Sequence, residues 1–189
     1  MSDISETIQE TSSHGRESKI NATVAVLVAL TATFMAICNV KDGNIVQAMS
    51  QAQAHSIDAW SYFQAKSTKQ SIAENTLEII KLQKNIDNEA AIKKYEEQIA
   101  RYEKEKTKIK KQAEAYQQEY ENINVFDDQF DMTEAFLSIS IAMFGITALT
   151  QKKWLLYFAA GISLLGIVLG LTAFMHISLH SGLVSKILG

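Results

Sequence analysis

The chain has no proline, one cysteine and only eight glycines in 189 residues. Without proline no residue has its φ locked or lacks a backbone donor, so long uninterrupted helices are permitted. Proline-rich and collagen-like classes are excluded. A single cysteine cannot build an internal disulfide framework. Charge is missing from three long stretches: residues 20–40, 135–151 and 154–185 contain no Asp, Glu, Lys or Arg. The 18 basic and 21 acidic side chains all lie elsewhere. A water-soluble globular domain does not segregate its charges in this way. The net charge of −3, with lysines interleaved among glutamates, leaves no footprint for nucleic acid.

What is present is apolar sequence of membrane-crossing length. A helix rises about 1.5 Å per residue, so about 20 residues cross a hydrocarbon layer of roughly 30 Å. Residues 20–40, 132–150 and 154–176 meet that length, and the last two form a tight hairpin of spans. Trp154 and Tyr157 stand where an aromatic belt belongs. The polar tail before the first span, residues 1–19, carries Asp3, Glu6, Glu10 and Glu17. It is too long and acidic for a signal peptide, so the first span reads as a retained anchor. Ile37 before Cys38 argues against a lipoprotein site, which leaves Cys38 as a structural residue within the span. Arg16 and Lys19 before span one, and Lys152 and Lys153 between spans two and three, place those ends on the cytoplasmic side. The middle region and the tail at 177–189 then lie outside.

Each span carries small residues at steps of three and four, which keep them on one helix face. Span one has Ala22, Ala25, Ala29, Ala32 and Ala36; span two has Ala135, Ser138, Ala142 and Gly145; span three has Ala159, Ser163, Gly166, Gly170 and Ala173. Small faces let helix backbones approach and gain dispersion contacts that leucine against lipid does not add. Ala25, Ala29, Ala32, Ala142, Gly145, Gly166 and Gly170 are therefore the expected packing positions, within one chain or between chains.

Residues 41–131 are rich in Lys, Glu and Gln and prone to helix. Lys41-Asp42-Gly43-Asn44 is the local breaker near their start. Two ladders with alternating steps of four and three follow, one from Ile45 to Ile80 and one from Ile92 to Ile123. That is coiled-coil periodicity. Between them Lys84-Asn85-Ile86-Asp87-Asn88 has turn chemistry. A chain that leaves and re-enters a membrane must return, so the region reads as an antiparallel helical hairpin with two arms of equal length. The fold class is all-α: an integral membrane protein with three transmembrane helices and an extramembrane coiled-coil hairpin between the first and second.

One string in the first arm is distinctive: Ala59-Trp60-Ser61-Tyr62-Phe63-Gln64-Ala65-Lys66-Ser67. It resembles the W-x-Y-[YF]-Q-A-K-S signature of a bacterial membrane protein family of unknown function, domain of unknown function 4337. Gln51-Ala52-Gln53-Ala54 and Lys69 fit too, as does the layout of spans. Ala59 departs from the pattern, where members carry Gln. The resemblance implies the bacterial inner membrane and brings no activity and no catalytic residue. On a helix Trp60 and Phe63 share a face, as do Tyr62 and Lys66. They either plug the base of the hairpin or form an interaction site, with Trp60, Tyr62, Phe63, Lys66 and Lys69 facing a protein partner or lipid headgroups.

Candidate chemistry is sparse. His176 and His180 have metal-compatible spacing, but no carboxylate or cysteine completes a site in one chain. Glu134 stands as the only carboxylate beside a span. No hydrolase triad, phosphate loop or dinucleotide fingerprint occurs, so no catalytic residue, metal or cofactor is expected. The expected protein is a non-enzymatic, homo-oligomeric inner-membrane scaffold or adaptor, with its N-terminus cytoplasmic and its hairpin and C-terminus periplasmic. The alternative is an oligomeric channel or transporter component, with Asn39, Ser138, Ser140, Thr147 and Thr172 lining a pore.

Overall fold

The computed structural model describes residues 2–83 and 88–177, with side chains from Lys19 onward. The central turn residues 84–87, His180 and the tail beyond Ile177 lie outside the described residues. The described chain is all helical: α1 (Ser2–Leu82), α2 (Glu89–Thr150) and α3 (Lys153–Phe174). Each contains a segment long and apolar enough to cross a membrane.

The expected breaker at Lys41–Asn44 does not break the helix, because α1 runs through it without interruption. A lone glycine in a helix interior costs only about 1 kcal/mol against alanine, and no proline adds to it. A β-carbon added at Gly43 would meet nothing within 4 Å, so packing imposes no bend there. Likewise α2 continues from the polar segment into the apolar one without a joint.

α2 ends in a left-handed residue. Gln151 has φ 54°, and its N–H bonds the carbonyl of Thr147 at 2.9 Å. α3 ends similarly at His176, φ 54°, with Ile177 N–H donating to Thr172 O and His176 N–H to Ala173 O. Those two bonds are a Schellman closure, which satisfies carbonyls the last helical turn would leave open.

The chain divides into two compact units. Unit 1 holds residues 1–46 and 124–189, and unit 2 holds residues 47–123, so α1 and α2 contribute to both. In unit 1 the three helices pack around Ile20, Val24, Phe144 and Ala159. In unit 2 an α1 arm and an α2 arm run antiparallel. Ser56 meets Ala113, Lys66 meets Glu105, and Lys81 meets Glu96. No ladder residue of either arm within unit 2 is exposed: Met49, Ala52 and Ala73 are buried on one side, Tyr102, Ile109 and Ala113 on the other.

Candidate functional site

The interior of unit 1 is polar where a soluble core would be aliphatic. Thr31, Gln129, Thr133, Ser140, Thr147 and Ser163 are buried. Thr31 and Ser163 join α1 to α3 through a hydroxyl pair at 3.0 Å. Ser140 donates to Ala159 O at 3.0 Å, joining α2 to α3. Thr133 and Thr147 donate to carbonyls one turn back on their own helix. Gln129 Nε2 lies 2.8 Å from Thr172 Oγ1 and 3.1 Å from Leu169 O. Of the hydroxyls expected to line a pore, Ser140, Thr147 and Thr172 are thus engaged in the packed interior. Ser138, whose hydroxyl donates to Met35 Sδ on α1, and Asn39 are exposed.

The acidic group at one end of this interior was not legible in the sequence. Asp42 on α1 and Asp127 on α2 are half-buried and face each other closely enough to share a hydrogen bond. One carboxylate oxygen of each is shielded from water without a donor among the described residues. A proton on one supplies the donor that both lack. Burial is the largest influence on Asp42, followed by the charges of Asp127, Asp131 and Glu134, and it is pushed up to about 6. Burial likewise raises Asp127. Glu134 is therefore not the only carboxylate beside an apolar segment. Asp42 lies four residues past Cys38, itself buried, but its partner is 85 positions away, beyond the reach of periodicity.

The sign of the resulting pH dependence is fixed. Asp42 binds its proton more tightly folded than unfolded, so its contribution to stability is present in full below the unfolded value near 4. It is lost as pH rises through about 6. Thermal unfolding in detergent should shift downward between pH 5 and 7, and Asp42→Asn should flatten that slope. A slope unchanged in Asp42→Asn would show that the carboxyl pair does not form.

In unit 2 the distinctive aromatic string is partly turned inward. Lys66 Nζ lies 2.6 Å from Glu105 Oε2, and it sits 5.2 and 5.4 Å from the ring centroids of Tyr62 and Tyr102. The hydrogen bond to Glu105 is the largest influence raising Lys66 and, in return, lowering Glu105. Trp60 stacks edge-on against Phe63, with centroids 5.7 Å apart, and Lys106 lies over the Phe63 ring. Trp60, Phe63 and Lys66 are half-buried, while Tyr62 and Lys69 are exposed. Lys66 therefore ties the two arms together. The missed residue is Glu105, whose place opposite Lys66 depends on the register of the arms.

The small-residue positions separate cleanly. Gly166 and Gly170 on α3 are buried, as are Ala159, Ser163 and Ala173. Added β-carbons would lie 2.8 Å from Leu137 Cδ2 and 2.9 Å from Phe34 Cε1. Ala25, Ala29 and Ala32 on α1, and Ala142 and Gly145 on α2, are exposed. Within the chain α1 turns Ile20, Val24, Thr31 and Cys38 inward instead. His176 stacks edge-on against Phe126 at 5.2 Å, whereas His180 falls outside the described residues.

A family model described as a domain of unknown function (DUF4337) matches residues 20–176. The chain belongs to that family. No curated protein and no solved structure matches it.

Proposed function

We propose that this member of the DUF4337 family is a multi-pass membrane protein acting as a self-associating, non-enzymatic scaffold or adaptor through its helical hairpin. The observation that carries this reading is the inverted polarity of unit 1. Its buried positions are rich in Ser, Thr, Gly and Gln. Leu30, Val40, Leu149, Tyr157, Leu164 and Met175 stand exposed by 60 % or more. In water, exposed apolar surface on this scale is unfavourable at roughly 25 cal/mol per Å². Against lipid tails it carries no such penalty, and small residues and hydroxyl pairs become the means of helix association.

Self-association is supported by the outward alanines of α1 and the outward Ala142 and Gly145 of α2, small faces with no packing role inside one chain. The adaptor reading draws on the hairpin, whose arms are tied by ion pairs suited to a watery setting. The arrangement of Lys and Arg supports a reading with the N-terminus and the α2–α3 link in the cytoplasm and the hairpin in the periplasm of a bacterial inner membrane.

The test is the mass of the protein in native-membrane nanodiscs, with single cysteines at Ser67 and Lys152 probed in a Cys38→Ala background. A defined oligomer that resists carbonate extraction, with labelling from outside at 67 only, is the expected result. Extraction by carbonate would overturn the membrane assignment. A monomer would overturn self-association, and labelling at 152 only would invert the topology.

A further inference from the structure

In unit 1 the inward rows of α1 and α2 each take in one carboxyl. On α1 the row reads Cys38, Asp42, Ile45, at steps of four and three. Cys38 and Ile45 are buried, Cys38 to 1 % exposure. On α2 the row reads Asp127, Phe130, Thr133, Leu137, and the last three are exposed by 2 % or less. Steps of three and four keep side chains on one helix face, so the packing of their neighbours turns Asp42 and Asp127 inward. The charges that act on Asp42 are those of Asp127, Asp131 and Glu134, all on α2 and all negative. Asp128 and Asp131 act in the same sense on Asp127. The other titratable groups nearby are Lys41 and Cys38 on α1, and His176 after α3, which rests edge-on against Phe126. Among the described residues no ion pair engages any of these carboxyls. Next to Asp42 stands Gly43, inside the helix and with open space where a β-carbon would lie, so no side chain restrains the backbone there.

We propose that Asp42 and Asp127 form a proton-operated latch between α1 and α2, which closes over Cys38 when they share one proton and loosens about Gly43 when both are ionised. The latch is independent of the self-association proposed above. With the proton, the O–H of one carboxyl donates to the other, and the oxygens shielded from water without a donor are served. Without it, two like charges face each other in a partly desolvated seam, and Asp131 and Glu134 add to the repulsion. Linkage sets the size of the response. In the closed form Asp42 is pushed from 3.8 up to about 6, and in an open, hydrated form it returns toward 3.8. Opening therefore becomes about tenfold more favourable between pH 5 and pH 8, with a ceiling of about a hundredfold over the whole range. Acid closes the latch and neutrality releases it.

The test uses the full-length protein in native-membrane nanodiscs, where Cys38 is its only thiol. The rate at which a methanethiosulfonate reagent modifies Cys38 is divided, at each pH, by the rate in Asp42→Asn. The division removes the ordinary rise of thiol reactivity with pH. The quotient should rise about tenfold from pH 5 to pH 8 and be half-complete near pH 6. An asparagine amide donates as the shared proton does, so Asp127→Asn should match Asp42→Asn at every pH and serves equally as the divisor. Gly43→Ala should shrink the rise and leave its midpoint in place. A quotient that stays level overturns the latch, whether Cys38 reacts slowly or fast throughout. A rise that persists in Asp127→Asn overturns the carboxyl pair as its cause. A rise of equal size in Gly43→Ala and wild type overturns the hinge.

Discussion

Leucine at Gly166 or Gly170 should destabilise the protein by about 3 kcal/mol or more, because both glycines occupy contacts that a side chain cannot enter. At Gly166 a β-carbon would lie 2.8 Å from Leu137 Cδ2 and 3.2 Å from Phe136 Cβ. Leu137 is fully buried, so it cannot rotate into free space, and the Phe136 Cβ moves only with its backbone. At Gly170 the β-carbon would meet the Phe34 ring from α1 and Thr133 Cγ2 from α2, both at about 3 Å. Alanine should already cost about 1–3 kcal/mol at either position. Gly161 on the same helix makes the control. Nothing lies within 4 Å of a β-carbon there, and alanine should gain about 0.5–1 kcal/mol from helix propensity alone. The sign therefore reverses within five residues of α3. Thermal unfolding in detergent reads it directly, at about 2–4 °C per kcal/mol for a chain of this size. Equal melting of Gly166→Leu and wild type would mean that α3 does not approach α2 this closely.

That contrast also shows which features were readable from sequence. The α3 stripe was legible because the glycines that permit close approach are themselves the signal. The α1 and α2 stripes were legible as stripes, but not as to direction. A helix such as α1, apolar on every side, offers no amphipathic contrast, so hydrophobicity does not choose its inward face. Particular pairings choose it: the Thr31–Ser163 hydroxyl pair turns α1 so that Thr31 and Cys38 face in and Ala25, Ala29 and Ala32 face out. In unit 2 the ladders were legible because charge marks the solvent side of each arm. Their register was not, so the pairing of Lys66 with Glu105 could not be read from periodicity. The supposed break at Gly43 overestimated one glycine in an 81-residue helix.

Gln129 supplies the second large effect, and its variants separate hydrogen bonding from packing. Its Nε2 donates toward Thr172 Oγ1 at 2.8 Å, Leu169 O at 3.1 Å and Ile177 O at 3.4 Å, which fastens α2 to the end of α3. The side chain is only 6 % exposed, so water cannot replace those bonds. Gln129→Leu keeps the bulk and removes the donor. Thr172 Oγ1 and Leu169 O still bond each other at 2.8 Å, so among these three acceptors Ile177 O loses most, and the variant should cost about 1–2 kcal/mol. Gln129→Glu keeps the shape but sets an ionised carboxylate against the carbonyl oxygens of Leu169 and Ile177. It should cost more than the leucine variant at pH 8, about 3 kcal/mol, since a buried charge loses solvation and faces carbonyl oxygens where an amide N–H stood. Protonation restores an O–H donor, so the glutamate variant should recover stability as pH falls toward 5, while the leucine variant should not. Unfolding temperatures of both variants at pH 5 and pH 8 decide the matter. Parallel behaviour at the two pH values would mean that Gln129 fills space at the end of α3 without holding it through hydrogen bonds.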